Sequence, residues 1–364
     1  EQFVYENRPR LRDWVDPELA RAARGLTLLG SMDDHVSDFF THRKLRQLVE
    51  YTLVFLGGSP YNTPALYSLM SHVDYDLGVY YPRGGVAAVV DGIADLGREL
   101  GVEYETATRV EAIERAGGDV RVRTGDGSRV VDRVVSNATP AATESELLAP
   151  ANRDHGAGYW ESRTYAPSAF LLYMGVEGDL GALAHHTLVL PTDWDDHFAS
   201  IFEDPTWPTD PSYYVNVPSR TDDTVAPEGH STVVVLVPVA PGLEDGPQRR
   251  DRFRDQVLAD LAEHADTDLR DRIVVEESAC VSEFAAMGYP DGTALGLAHT
   301  LRQTGPFRPA HRSDAMDELY YTGSFTAPGI GMPMTLISGE HTAEAVREDA
   351  AGRERDTSLG RELF

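Results

Sequence analysis

The first 79 residues carry apolar positions at helical spacing. Asp16-Pro17-Glu18 opens one helix, with aspartate as cap, proline in the first turn and glutamate near the positive end of the dipole. Ser31-Met32-Asp33-Asp34-His35 opens a second and sets Val36, Phe39 and Phe40 on one side. A third is expected from Lys44 to Phe55 through Leu45, Leu48, Val49, Tyr51 and Leu53, and Gly57-Gly58-Ser59-Pro60 ends it. Thr63-Pro64-Ala65-Leu66 starts another apolar helix that reaches Met70.

From residue 80 the pattern shifts to a compact α/β unit. Gly85 precedes a helix over Val86 to Gly97, and Val102 to Thr106 has the composition of a short strand. Thr108 to Glu114 and Val120 to Thr124 alternate with period two, and Gly125-Asp126-Gly127 marks a hairpin turn. Arg133 to Ala138 predicts a buried strand that ends near a loop.

Between about residues 150 and 300 strands dominate: Ala169 to Val176, Ser212 to Val217, Ser231 to Val237 and Ile273 to Glu277. One long amphipathic helix, Arg250 to Ala265, lies among them. Strands of this kind predict a mostly antiparallel sheet covering a substrate cavity. Asp291-Gly292 is a turn signal, and the tail 349–364 is charged and expected to fray.

Charge changes this picture more than overall composition does. The chain of 364 residues has 59 acidic against 32 basic residues, a net charge of −27, and Lys44 is its one lysine. An acidic surface nearly free of lysine points to a protein kept soluble at high salt, where self-repulsion is screened. A GC-rich genome would explain arginine in place of lysine, but not the acidic excess. Nucleic acid is disfavoured as a partner, because phosphate binding needs clustered positive charge. The single cysteine, Cys280, has no partner for an internal disulfide and suits a small buried apolar group in a reducing compartment. No run of about 18 apolar residues predicts a membrane span.

Two turns carry the candidate chemistry. In 320–333, Tyr320-Tyr321-Thr322-Gly323-Ser324 leads through Thr326-Ala327-Pro328-Gly329-Ile330-Gly331 into a helix through Met334, Leu336, His341 and Ala345. A helix N-terminus beside a strand end offers free amides and positive dipole character, which suits a phosphate or the polar edge of a flavin ring. Gly329 and Gly331 then let the backbone approach a flat cofactor. The same residues also describe an ordinary tight strand-to-helix turn. Pro82-Arg83-Gly84-Gly85 is a second such turn, where Arg83 is either a surface charge or a cofactor neighbour. His72, His299 and His341 lack metal-ligand spacing and read as structural histidines, and no zinc pattern, P-loop or nucleophile elbow occurs.

The order of these segments is more specific than any one of them. The run "LGGSPYNTPALYSLM" at 56–70 is followed by "GVYYPRGGVAAVVDGIADLGRELGVEYETATRVEAI" at 78–113, "RVVSNATP" at 133–140 and "LYYTGSFTAPGIGMPMTLISGEHTAEAV" at 319–346. This succession resembles the bacterial and archaeal phytoene desaturases within the flavin amine oxidase-like superfamily, over nearly the whole chain. The resemblance implies a mixed α/β fold: an FAD-binding Rossmann-like domain, here incomplete, with an inserted substrate domain of antiparallel sheet and helices. The implied divisions are a helical substrate- and membrane-facing segment at 1–79 and part of the FAD domain at 80–148. The substrate domain follows at 149–305, the closing FAD segment at 306–348, and a charged tail at 349–364.

The resemblance also implies FAD and the dehydrogenation of a long polyene, with two hydrogens removed from adjacent saturated carbons. Gly84 and Gly85 match the glycines of the loop that approaches the flavin. Val110 matches the strand position whose backbone meets the adenine. Gly323, Ser324, Gly331 and Met332 match the closing motif around the pyrophosphate, ribityl chain and ring. No catalytic base or metal ligand is identified, and quinone or oxygen remains open as the acceptor for reduced flavin. The expected location is cytoplasmic, peripheral on the inner face of the cell membrane, held by apolar helices rather than by anionic headgroups.

Three features depart from the pattern. The family opens on a strand, G-x-G-x-x-G and a helix, with an acidic residue about 20 positions on, and no such stretch occurs in this sequence. Ala327 stands where many relatives have histidine, and Met334 where many have glycine. Within the family the activities left open are phytoene desaturation, carotenoid 3,4-desaturation and polyene isomerisation or saturation. A flavin amine oxidase is a more distant enzyme reading. A truncated, non-catalytic carotenoid-binding paralogue is the alternative outside enzymes.

Overall fold

The computed structural model describes residues 5–8, 30–53, 57–264, 268–300 and 302–362. The helix expected at Asp16-Pro17-Glu18 lies outside them. Ser31 caps α1 (Met32–Ser37), its Oγ accepting the Asp34 amide at 3.1 Å. Met32 and Val36 then pack against Leu53. The next helix, α2 (Arg43–Glu50), is interrupted by a turn at Tyr51; Thr52 and Leu53 are helical again, and residues 54–56 fall outside the described set. The helix begun at Ala65 extends beyond Met70. It winds from a 3-10 turn (Ala65–Tyr67) through an α turn (Ser68–His72) to a π turn (Val73–Leu77).

After the Pro82–Gly85 turn comes α3 (Ala87–Glu99), none of whose residues is buried. Its apolar stripe, Val90, Ile93 and Leu96, is at least half exposed. The strand expected at Val102–Thr106 does not form. A strand needs a partner ladder, no described strand runs beside this segment, and Val102 and Tyr104 stand half in solvent.

Strands β1 (Val110–Ala116), β2 (Asp119–Thr124) and β3 (Gly127–Val131) make an antiparallel sheet, with Thr124 paired to Gly127 at the predicted hairpin. Strand β4 (Val134–Ser136) follows. It is less buried than its composition suggests, because Val135 is half exposed and only Ser136 is covered.

The predicted strands of the middle region form β5 (Ser168–Glu177), β7 (Tyr213–Asn216), β8 (His230–Val239) and β9 (Ile273–Ala279). The short β6 (His186–Val189) joins them, giving a five-stranded antiparallel sheet in the order β6-β7-β8-β5-β9. Alternation fixes its register: Phe170, Leu172, Met174 and Val176 of β5 point inward with Val233, Val235 and Val237 of β8. Helix α5 (Pro247–His264), preceded by α4 (Asp195–Phe202), covers that face with Phe253, Val257, Leu258 and Leu261. Burying each such side chain contributes about 1.5–3 kcal/mol. Cys280, wholly buried at the start of α6 (Val281–Ala286), belongs to this core, and burial pushes its thiol up to about 12.

Finally β10 (Leu319–Tyr321) pairs in parallel with β4 and leads to α7 (Met332–Glu362). The tail expected to fray is helical as far as Glu362. Arg312 holds its first part through Glu348 and Asp349, both at 2.8 Å.

Candidate functional site

The turn between β10 and α7 is braced from beneath by hydroxyls. The buried face of α7 carries Ile337, Ser338, His341, Thr342 and Ala345, so polar groups sit where apolar ones are expected and must find partners. Ser338 Oγ accepts the Gly323 amide at 2.9 Å and lies 2.8 Å from Thr326 Oγ1. Thr342 Oγ1 donates to the carbonyls of Ser338 at 2.8 Å and Tyr321 at 3.0 Å. Sequence reasoning missed Thr326, Ser338 and Thr342. Their signal was available as polar residues on the buried stripe of a helix.

Gly323 and Ser324 line a cavity of about 180 Å³ together with Asn137, Thr139, Tyr289, Phe325 and Thr335. Asn137, at the end of β4, donates to the Thr322 carbonyl at 3.2 Å and so ties the two parallel strands at their ends. Gly331 and Met332 are not part of this lining; they stand at the mouth of α7, whose Thr335 does line it and whose first-turn amides have no acceptor within the helix. Gly331 has φ +120°, and an added Cβ would meet only Met334 at 3.6 Å, so conformation alone demands glycine there. Gly329 differs: a Cβ at that position would fall 2.3 Å from His299 Cε1. Its glycine makes room for a side chain behind the turn.

That side chain belongs to a buried cluster. His299 Nε2 accepts the Ile330 amide at 3.2 Å, and its Nδ1 lies 2.5 Å from Tyr67 Oη. Burial, with Arg308 beside it, holds His299 well below the ordinary imidazole range, so it is neutral. A neutral ring accepting at Nε2 carries its proton on Nδ1 and donates to Tyr67. Arg308, 6% exposed, donates to the carbonyls of Leu297 and Gln303 at 3.2 Å and of Ser324 at 2.6 Å, while its Nε has no partner among the described residues.

The remaining predicted residues stand apart from the cavity lining. The Gly84 amide donates to Asp222 Oδ2 at 2.5 Å, and Arg83 pairs with Asp223 at 2.9 Å in solvent. Gly85 shares that turn, against Tyr81 and Val225 of the five-stranded sheet's loop. Val110 opens β1 opposite Thr124. Of the histidines, His72 is exposed beside Asp76, and His341 Nε2 faces the Tyr5 carbonyl at 3.2 Å.

The closing turn fits the polar part of a flavin nucleotide: amides at a helix mouth, hydroxyls, an amide side chain and a buried cation behind it. A second cavity, of about 470 Å³, is lined by Ser31, Asp33, Asp34, Tyr61, Asn62 and Thr63 and is separate from this turn. Among the described residues no helix is long and apolar enough to cross a membrane, and no group of three metal-binding side chains occurs.

Comparison with known proteins agrees with this chemistry. The family of flavin containing amine oxidoreductases matches residues 10–347. A carotenoid 3,4-desaturase of Haloarcula japonica is 60% identical over 353 residues, covering 96% of this chain and 71% of that protein. A zeta-carotene-forming phytoene desaturase of Myxococcus xanthus is 33% identical, covering 94% of this chain and 67% of that protein. Among solved structures, an oxidoreductase from Methanosarcina mazei shares the fold at a TM-score of 0.60 and 16% identity, over 90% of this chain and 71% of that one. With the strand-to-helix turn and its matched glycines, these similarities make the chain a member of the flavin containing amine oxidoreductase family, in its carotenoid desaturase branch, with FAD as cofactor.

Proposed function

We propose that this protein is an FAD-dependent desaturase that introduces carbon–carbon double bonds into a carotenoid, with 3,4-desaturation as its specific reaction. The observation that carries this reading is the 60% identity with a carotenoid 3,4-desaturase along 96% of the chain. Bound FAD supplies the acceptor for the two electrons removed with two hydrogens from adjacent carbons. Within the chain, Gly323, Ser324, Gly331 and Met332 hold the polar part of the cofactor. Gly84, Gly85 and Val110 contribute backbone contacts from the neighbouring turn and strand. The neutral His299 keeps the Ile330 amide in place from behind.

An apolar polyene gives the protein no charge to grip, so binding rests on buried area at about 25 cal/mol per Å². The segment from Val73 to Tyr80 exposes Val73, Tyr75, Leu77, Val79 and Tyr80. We assign it to contact with the membrane surface, where the polyene and a quinone acceptor are dissolved. Such contact is apolar, because a net charge of −27 is repelled by anionic headgroups.

The deciding experiment expresses the natural gene in high-salt cells that accumulate phytoene and in others that accumulate lycopene. A red shift of pigment absorption from lycopene alone is expected. Colour arising from phytoene would replace the assignment with phytoene desaturation, and no change in either host would remove it.

A further inference from the structure

Arg308 is a buried cation with no carboxylate beside it among the described residues. Its guanidinium touches the carbonyls of Leu297, Gln303 and Ser324, which are dipoles and leave its unit charge uncancelled. The titratable groups near it are Tyr67, Tyr159 and His299, and each is neutral at pH 7. Burial brings the guanidinium down only to about 10, so it keeps its proton. A buried charge of this kind is expensive unless something compensates it.

Its position says what would. The Arg308 guanidinium carbon lies 3.3 Å from where a Cβ on Gly329 would be, directly behind the turn that opens α7. Tyr67 also acts on its charge, and Tyr67 belongs to the helical run Ala65–Leu77, which leads into the exposed segment Val73–Tyr80 assigned above to the membrane surface where the polyene is dissolved. Arg308 thus touches the turn that opens α7 through Ser324 and Gly329, and it lies close enough to Tyr67 and His299 to act on their charge.

We propose that Arg308 is the positioned counter-charge for the reduced flavin ring, holding the two-electron-reduced cofactor as an anion and drawing its reduction potential upward. The inference rests on the FAD assignment, and on no particular carotenoid. Oxidised flavin is neutral in its ring. Two electrons and one proton leave a negative charge there, which a nearby cation stabilises in the reduced state only. Arg308 is a positioning residue with an electrostatic effect and transfers no proton.

The test uses the FAD-loaded product of the natural gene and reads absorbance during anaerobic reduction. Unmodified enzyme is expected to give the anionic reduced-flavin spectrum at about pH 6 as well as about pH 8, because the cation suppresses protonation of the ring. Arg308→Lys should keep that spectrum. Arg308→Gln should show neutral reduced flavin at about pH 6, with the reduction equilibrium against a reference dye shifted at least about tenfold toward oxidised flavin. A neutral reduced spectrum in the unmodified enzyme at about pH 6 overturns the proposal even where Arg308→Gln does not fold. So does an Arg308→Gln enzyme with an unchanged dye equilibrium. Weaker FAD binding with that equilibrium unchanged would move the charge to the pyrophosphate instead. Failure of the natural gene product to bind any flavin would defeat the FAD assignment itself, which distinguishes the two failures.

Discussion

Tyr67 Oη and His299 Nδ1 lie 2.5 Å apart although 232 residues separate them in the chain. Through the second nitrogen of that imidazole the contact continues to the Ile330 amide, so one ring joins the helical run Ala65–Leu77 to the turn that opens α7. Tyr67→Phe removes one partner and should lower stability by about 1–2 kcal/mol. Gly329→Ala should cost more, because its Cβ would collide with His299. Urea midpoints with an unchanged m-value would verify the order, and an equal loss in both variants would count against the packing.

Stability should fall in mild acid. His197 is buried in α4, with its Nε2 2.9 Å from the Pro238 carbonyl and its Nδ1 accepting the Ser212 amide at 2.8 Å. Burial depresses it from 6.5 to about 4, and burial likewise takes His311 to about 4. A histidine depressed in the fold stabilises fully above its unfolded pKa, and that contribution disappears as pH falls from about 6.5 toward about 4. Each group accounts for up to about 3 kcal/mol over this window. Unfolding measured at about pH 7.5 and about pH 5 should show the drop, and His197→Gln should make the slope shallower. An unchanged slope in that variant would exclude His197 as a source.

Added salt should raise the melting temperature. A net charge of −27 repels itself across the surface, and screening relieves this within a Debye length of about 10 Å at 0.1 M. Molar potassium chloride should stabilise more than an uncharged osmolyte of equal osmolality. Equal effects would trace the gain to solvent exclusion rather than to charge.

At the closing turn, Gly331→Val places a β-branched residue at φ +120°. Such strain costs about 1–3 kcal/mol. Retention of FAD should drop about tenfold or more, while Gly339→Ala, within α7 and with open space around it, should leave flavin content intact. Flavin absorbance per chain after gel filtration is the readout, and full retention by Gly331→Val would remove that glycine from the site.

The 364-residue chain has no G-x-G-x-x-G stretch to hold the adenine end of the cofactor. Purified by itself it should carry FAD well below one per chain. A stoichiometric yellow preparation would contradict this.

Alternation made β5 and β8 legible in the sequence, because period-two burial leaves its mark on every second residue. The short β6 escaped notice, since it opens on the polar His186, directly after His185, and is only four residues long. The strand composition at Val102–Thr106 misled for the opposite reason: propensity was present and a partner was not. The strand-to-helix turn from Gly323 to Met332 was legible, because Gly323, Pro328, Gly329 and Gly331 break up one short stretch between strand and helix patterns. Asp222, which takes the Gly84 amide from 138 residues away, could not be, because such a partner is set by packing rather than by spacing. Arg308 looked like one arginine among many until its burial without a carboxylate was visible.

Cys280 has a practical consequence. It is the chain's one thiol, wholly buried against the five-stranded sheet, with its ionisation suppressed. A thiol reagent therefore reacts only through molecules in which that sheet has opened, at a rate set by how often opening occurs. Every 1.4 kcal/mol or so of opening free energy slows labelling about tenfold. The native chain thus contains its own clock for local unfolding of the five-stranded sheet, readable in high salt and without any engineered probe.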